Sequence, residues 1–418
     1  MLIEFRVRNF RSFRDEQALS LVAAKDKTLI DTNTMQSGIR AAPALLRSAV
    51  VYGPNAGGKS NLIKAVQYMR AVVEESANKP PGQKYNVQPF RLDSHSESLP
   101  TAFEATFILE GVRYQYGFEL TPDRITQEHL LVYKAFKPQQ WFRRYFDEKA
   151  ERDVYSFSSG LTGPKGLWEK ATRSNSLFLS MAVQLNSDQL RPVFDWFINQ
   201  LVIINDAAVF NPQLSVNMLK ESEGKQVVRD FLTSADISIS DISVITSKVK
   251  GKDFQLDLAT GKHQISDSEH EVNQLQFHHV TEHGAAVFAM EEESKGTQRL
   301  FHLAGPIMDI LKNGRVLMVD ELDSSLHPSL IKQLVNLFQS SEINPNGAQL
   351  IFSAHDTSLL NPDLLRRDQV WFVEKNHEQI SRLFPFTDFS PRSKEAWQRG
   401  YLIGRYGALP FLNNELAN

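Results

Sequence analysis

Val50-Val51-Tyr52-Gly53-Pro54-Asn55-Ala56-Gly57-Gly58-Lys59-Ser60-Asn61 decides how the rest of the chain is read. The apolar run from Ala49 to Tyr52 predicts a short buried strand, broken by a glycine-rich turn. The pattern restarts as an amphipathic helix with Leu62, Ile63, Ala65, Val66 and Met69 toward one side. That helix runs to about Ser76, and Lys79-Pro80-Pro81-Gly82 ends it. Gly53, Gly58, Lys59 and Ser60 fit the spacing G-x-x-x-x-G-K-[ST] of a phosphate-binding loop. Glycines let successive N–H groups converge on an anion, and the new helix points its positive end at the same place. In such a loop Lys59 reaches the β- and γ-phosphates and Ser60 holds Mg²⁺. Eight positions can match by chance; the strand before and the helix after are the context the motif demands.

The 418 residues exceed the ~250–300 at which a single core stops growing, so two lobes are expected. With 42% apolar and 23% charged residues the composition is that of an ordinary globular protein. A net charge of −3 supplies no global field for nucleic acid, so any such binding needs a local patch. There is no cysteine, which excludes disulfides and thiol chemistry and fits a reducing compartment. The alternating, charged opening Met1 to Arg6 predicts a strand and not a signal peptide. No apolar run approaches the ~20 residues of a membrane span. A cytoplasmic, mixed α/β protein is the expectation.

Residues 1–22 read as two strands, Leu2–Val7 and Gln17–Val22, around the turn Asn9-Phe10-Arg11-Ser12-Phe13, and 23–45 as irregular. Ala102–Leu109 and Val112–Leu120 predict a hairpin about Glu110-Gly111. Strand-like pieces follow at 128–136, 141–146 and 153–157. Residues 165–235 read as helical and 237–290 as short strands between polar turns. The last third alternates strand and helix, which predicts a parallel sheet: helix 296–312, strand 315–319, helix 328–340, strand 349–353, a short helical piece at 357–366 and strand 370–374. No heptad array supports a long coiled-coil arm.

Four later stretches carry chemistry. Val316-Leu317-Met318-Val319-Asp320-Glu321 is a buried strand ending in an acidic pair, with Asp320 placed to orient Mg²⁺ and Glu321 to polarise an attacking water. Leu322-Asp323-Ser324-Ser325-Leu326-His327-Pro328 follows as a turn whose Asp and Ser can meet a neighbouring subunit. Ile351-Phe352-Ser353-Ala354-His355-Asp356 is a buried strand ending in a histidine that can sense the γ-phosphate. Glu293-Ser294-Lys295-Gly296-Thr297-Gln298-Arg299 opens a helix, either as a second anion site or as a plain helix cap.

Together these stretches resemble the ABC-class ATPases, whose corresponding segments are Walker A, signature, Walker B, D-loop and H-loop. Within that class the chain is similar to the soluble branch of SMC, RecF and OLD-type proteins, through the opening Phe5-Arg6-Val7-Arg8-Asn9-Phe10-Arg11-Ser12-Phe13. Asp320 to Pro328, Ser353-Ala354-His355-Asp356-Thr357 and the tail Tyr401 to Pro410 resemble the RloA-like abortive-infection ATPases of phage defence. The resemblance covers roughly 1–95 and 290–410. It implies an α/β ABC-type head with a mixed or parallel sheet and an N-terminal antiparallel β-subdomain, plus an inserted β-then-helical lobe. The domains it implies are 1–95 and 291–418 for the head and 96–290 for the insert.

The resemblance further implies ATP held by Gly53, Pro54, Asn55, Ala56, Gly57, Gly58, Lys59, Ser60 and Asn61. Mg²⁺ would be held by Ser60, Gln88 and Asp320, with Gln83 close to the Gln88 position. Glu321, His355 and Lys59 would be catalytic. Arg11 sits where related proteins touch nucleotide, or is an ordinary surface arginine. Ser294, Gly296 and Asp323 would complete the site of a second copy, although Glu-Ser-Lys-Gly-Thr departs from the usual Leu-Ser-Gly-Gly-Glu. No Asn-Lys-x-Asp stretch is present to read guanine.

The implied function is an ATPase sensor or regulator in anti-phage defence that associates head to head with itself. It would control a separately encoded effector, a nuclease or toxin, since no room remains before Asn418 for the TOPRIM nuclease that OLD proteins carry. The alternative is a RecF-like, DNA-binding repair clamp; a transporter ATPase fits poorly with the N-terminal turn and the long β-rich insert. Lys134, Lys137, Arg143 and Arg144 interleave with Phe136, Trp141 and Phe142, either as a single-strand binding surface or as a half-buried hairpin. His270, His278, His279 and His283 match no metal spacing, and alternation sends His278 and His279 to opposite faces.

Overall fold

The computed structural model describes residues 1–135, 137–204, 212–234, 239–256, 263–323, 327–391 and 395–409, with 234, 250–256 and 263–272 described by backbone alone. In chain order the strands are β1 (Leu2–Arg8), β2 (Gln17–Ser20), β3 (Thr34–Gln36), β4 (Ala44–Leu46) and β5 (Ser48–Tyr52). Then come β6 (Thr101–Leu109), β7 (Val112–Leu120), β8 (Ile125–Tyr133), β9 (Gln139–Asp147), β10 (Arg152–Phe157) and β11 (Leu201–Ile204). The rest are β12 (Asp241–Leu256), β13 (His263–Thr281), β14 (Gly284–Ala289), β15 (Val316–Val319), β16 (Gln349–Ser353), β17 (Val370–Lys375) and β18 (Ser381–Pro385).

Two compact units result, one of Met1–Ala207 with Ile310–Asn418 and one of Ala208–Asp309. Both boundaries differ from those expected at 95/96 and 290/291, and strand pairing explains the first. β1 lies antiparallel between β2 and β6, so strands 101–157 continue the N-terminal sheet instead of forming a lobe of their own. That seven-stranded sheet runs β10-β9-β8-β7-β6-β1-β2. Its β6–β7 turn has positive φ at both Glu110 and Gly111, the geometry that matches strand twist in a two-residue hairpin.

The second sheet of this unit runs β11-β15-β16-β5-β17-β18 and is parallel except for β18. Strands β5, β15 and β16 are buried at every position, as strands covered on both faces require. The helix Lys59–Glu75 packs Leu62, Ile63, Ala65, Val66 and Met69 into the same core as both sheets. β11 interrupts the segment expected to be helical. The helix Arg191–Asp195 loosens into a π turn at Trp196–Gln200, where Trp196 stacks on Phe107 with ring centroids 3.9 Å apart.

The basic and aromatic residues of β9 are mostly committed to this core. Trp141, Phe142 and Arg144 are buried, and Arg144 pairs with Asp153 at 2.9 Å and donates to Ser176 O. Their buried faces cannot stack bases, so the hairpin alternative holds for them; Phe136 lies outside the described residues. Beside them Glu128 is fully buried at the start of helix Phe178–Gln184, accepting from the N–H groups of Phe178 and Leu179 and from the Tyr116 hydroxyl. Burial pushes the Glu128 carboxyl up, against the Arg144 charge and these three donors.

The second unit is built on a ribbon. β12 and β13 are 16 and 19 residues long and pair antiparallel throughout, with β14 added at the outer edge of β13. In place of the expected series of short strands stand two long paired strands and a short third. His278 meets Ser243 Oγ and His279 meets Glu293 Oε1, so the two rings do go to different partners. No helix among the described residues is long and apolar enough to cross a membrane.

Candidate functional site

Parallel strands that end side by side leave their carboxyl ends as a common rim, where ligands of open α/β sheets bind. Here β5 ends at Tyr52, β15 at Val319 and β16 at Ser353, and the loops leaving them meet. The loop after β5 is shaped by close approach. A Cβ on Gly53 would stand 2.1 Å from Val373 O of β17, and Gly58 holds φ +125 with Ser381 Oγ beside it. Ser381 Oγ donates to Gly57 O, and Asn61 Nδ2 donates to Ser12 Oγ, so the N-terminal turn and β18 brace the loop from outside.

Lys59 folds back over the loop and donates from Nζ to Gly53 O at 2.7 Å and Pro54 O at 3.3 Å. Burial lowers its pKa, while the carboxylates of Glu321, Asp320 and Asp323 oppose that shift. No ion pair of Lys59 occurs among the described residues, so a buried ammonium is held by two loop carbonyls at the start of a helix, without a bound carboxylate. That donor set fits an anionic phosphate chain. A cavity of about 270 Å³ opens here, lined by Pro54, Asn55, Ala56, Gly58, Lys59, Ser60, Asn61, Glu321 and His355. A larger cleft of about 900 Å³ adjoins it on the Gly53 and Gly57 side.

The acidic strand end is held by a residue that motif reading passed over. Ser353 is fully buried, its Oγ donating to Asp320 Oδ1 and accepting from the Glu321 N–H, each at 2.7 Å. Glu321 itself sits at φ 51, a left-handed conformation that few non-glycine residues adopt. Its carboxylate is half exposed and lies 3.7 Å from His355 Nε2. Asp323 turns inward: Oδ2 accepts from the N–H groups of His355 and Asp356, both at 2.6 Å. Below them the buried Tyr52 hydroxyl donates to Asp356 O. Burial, then the Asp356 and Asp323 charges, push that phenol well above its usual range.

The sequence-predicted residues thus divide. The loop, Glu321 and His355 share one cavity, with Asp320 one hydroxyl behind them. Arg11 and Gln88 are joined to each other, the Arg11 N–H donating to Gln88 O, and neither lines the cavity. Arg11 packs its guanidinium over Phe10, and its buried Nε has no hydrogen-bond partner among the described residues. Ser294 caps helix Lys295–Lys312, its Oγ accepting from the Thr297 N–H at 3.1 Å, and Gly296 is exposed at that helix start. Ser324, Ser325 and Leu326 lie outside the described residues.

Ser353→Ala removes the one group that joins Asp320 to the Glu321 backbone. It leaves a buried carboxylate oxygen and an N–H unpaired, a cost of about 1–3 kcal/mol. Thermal melting is expected to fall accordingly, and Ser353→Thr, which keeps a hydroxyl, is expected to recover part of the loss.

A parallel sheet with a phosphate loop on one strand, an acidic pair on the next but one and a histidine between them defines a P-loop protein of the AAA/ABC-like ATPase class. The chain belongs to the family described as "AAA domain, putative AbiEii toxin, Type IV TA system", which matches residues 48–361. No curated protein sequence matches the chain.

Proposed function

We propose that the chain is an ATP-hydrolysing sensor or regulator subunit of a bacterial anti-phage defence system, of the RloA-like, OLD-related kind. It would control a separate effector, a nuclease or toxin, by ATP-dependent association of two heads in the cytoplasm. The observation that carries the chemistry is the shared cavity of Lys59, Ser60, Glu321 and His355. The family description, with its toxin and type IV toxin–antitoxin terms, supports the defence setting.

The residues divide the work as follows. The loop N–H groups and Lys59 bind the phosphates, and Asn55 and Asn61 fix their position. Ser60 and Asp320 would hold Mg²⁺, which when bound neutralises charge on the transferred phosphoryl group; Gln88, the third ligand the resemblance implies, is exposed and does not line the cavity. Glu321 accepts the proton of the attacking water. His355, within 3.7 Å of that carboxylate, reports phosphate occupancy through Asp323 to the loop that follows. Ser294 and Gly296 of a second copy would close over the γ-phosphate, using the exposed helix start that Ser294 caps.

The test is the mass of the particle. With ATP and Mg²⁺, a Glu321→Gln protein is expected to gain a head-to-head contact that Lys59→Ala lacks, read by sedimentation. Absence of any ATP-dependent association removes the two-headed reading. A nuclease or toxin encoded beside this gene and co-purifying with it supports the effector; DNA-stimulated turnover without such a partner favours the repair clamp.

A further inference from the structure

A sheet edge presents unpaired N–H and C=O groups to any chain that can add a strand, so proteins protect their edges with charge, proline or short length. Most edge strands of this chain follow the rule. β10 begins Arg152-Asp153, β12 carries Asp241, Lys248, Lys250, Lys252 and Asp253, and β18 carries Arg382 and ends in Pro385. β2 and β11 are only four residues each. β14 breaks it: Gly284-Ala285-Ala286-Val287-Phe288-Ala289 has no charge and no proline, and every position is exposed. Val287 is 50% and Phe288 38% exposed, with Val280 of the neighbouring β13 at 63%. Only its β13 side is paired among the described residues.

The geometry points to a second copy of this chain as the occupant: we propose that β14 pairs antiparallel with β14 of a partner, joining two three-stranded sheets into one. In an antiparallel pair, opposite side chains lie on the same face, so a two-fold axis normal to the sheet must pass through a residue and not between two. With the axis at Ala286, Ala285 faces the partner's Val287 and Gly284 faces the partner's Phe288. Every off-axis rung within Gly284–Phe288 then sets a small residue against a large one. A ring laid across an opposing glycine is a favourable edge pairing, and no charge meets its own copy. The strand is complementary to itself, which an unrelated partner would not require.

This contact needs no nucleotide. Ser294 follows β14 in the same compact unit after one short turn, Met290–Glu292. Edge pairing therefore keeps two Ser294-bearing helices in one particle before ATP arrives, while standing independently of the nucleotide-driven head contact.

The absence of cysteine makes the test clean, because Ala286→Cys introduces the sole thiol. Nucleotide-free, full-length protein is expected to sediment as a dimer, and Val287→Lys to convert it to a monomer with unchanged thermal melting. Ala286→Cys is expected to cross-link to its copy on mild oxidation or with a short bis-maleimide. Leu167→Cys, also at an exposed position but in the other unit, is not. A nucleotide-free monomer overturns the proposal, as does a dimer that Val287→Lys leaves intact or equal cross-linking at both cysteines. A dimer that appears only with ATP overturns it while supporting the head contact. A nucleotide-free dimer lost in Val287→Lys supports it, and the head contact is then read on the Val287→Lys monomer, which is expected to dimerise with ATP; a monomer that ATP leaves unchanged overturns the head contact alone.

Discussion

Replacing Glu321 by glutamine is expected to lower ATP turnover by about 10²–10⁴-fold, the usual worth of a positioned general base, while nucleotide still binds. Glutamine keeps the length and one acceptor oxygen but cannot take a proton. The backbone that aims the side chain does not depend on the carboxylate, since Ser353 holds the Glu321 N–H and the strand end fixes φ at 51. Binding is expected to hold or tighten. The carboxylate lines the phosphate cavity and supports the charge of Lys59, so its loss removes a repulsion from the incoming anion. Phosphate release and equilibrium nucleotide binding, measured on the same preparation, separate the two effects. Turnover at the parental rate removes Glu321 as base. Loss of turnover together with loss of binding shows a collapsed cavity, and Ser353→Ala then serves to tell a moved backbone from a missing base.

That prediction needs Ser353, and Ser353 illustrates why part of the site was hidden. The loop, the acidic pair and the histidine were legible because each is a local event: an apolar run ends and a polar residue of fixed type follows within a few positions. The bridge from Ser353 to Asp320 and Glu321 spans more than thirty residues of sequence and exists only because β15 and β16 lie side by side in register. A serine at the end of a buried strand carries no such message by itself.

The same reasoning separates the elements. Helix Lys59–Glu75 and hairpin β6–β7 follow from periodicity and turn chemistry that any window of the sequence displays. β11 is four apolar residues beside a helix, and short apolar runs do not distinguish strand from helix. It becomes a strand because β15 offers an open edge. β12 and β13 contain Gly251 and Asp253, Ser266 and Asp267, residues that read as turns; with Gly251 across from Ser268, Asp253 from Ser266 and Asp267 from Lys252, they are carried through the ribbon instead. The expected boundary at residue 95 failed for a related reason, since nothing local to Thr101–Leu109 shows that its partner is β1.

Gly53→Ala is expected to cost at least ~4 kcal/mol, the range reserved for changes that force a core to move. β5 and β17 run parallel in register through Val50–Val370, Val51–Trp371 and Tyr52–Phe372, and the next step brings Gly53 against Val373. There the carbonyl of Val373 occupies the space of the missing side chain, 2.1 Å from where a Cβ would lie, with Val373 Cγ1 at 3.0 Å. Both neighbours belong to a buried strand, so relief requires parting β17 from β5 or lifting the loop. Lifting the loop also carries away the Gly53 carbonyl that holds Lys59, so nucleotide binding should fail with the fold. Gly296→Ala is the matched control. Its nearest neighbour would be Ser294 Oγ at 3.6 Å, an ordinary contact, and alanine at a helix start is favourable by up to ~1 kcal/mol. Thermal unfolding of the two variants should therefore move far apart, with Gly296→Ala at or above the parent. A Gly53→Ala protein that melts with the parent and binds nucleotide would mean that β17 yields at little cost. The glycine would then serve the bound phosphate instead of the packing behind it.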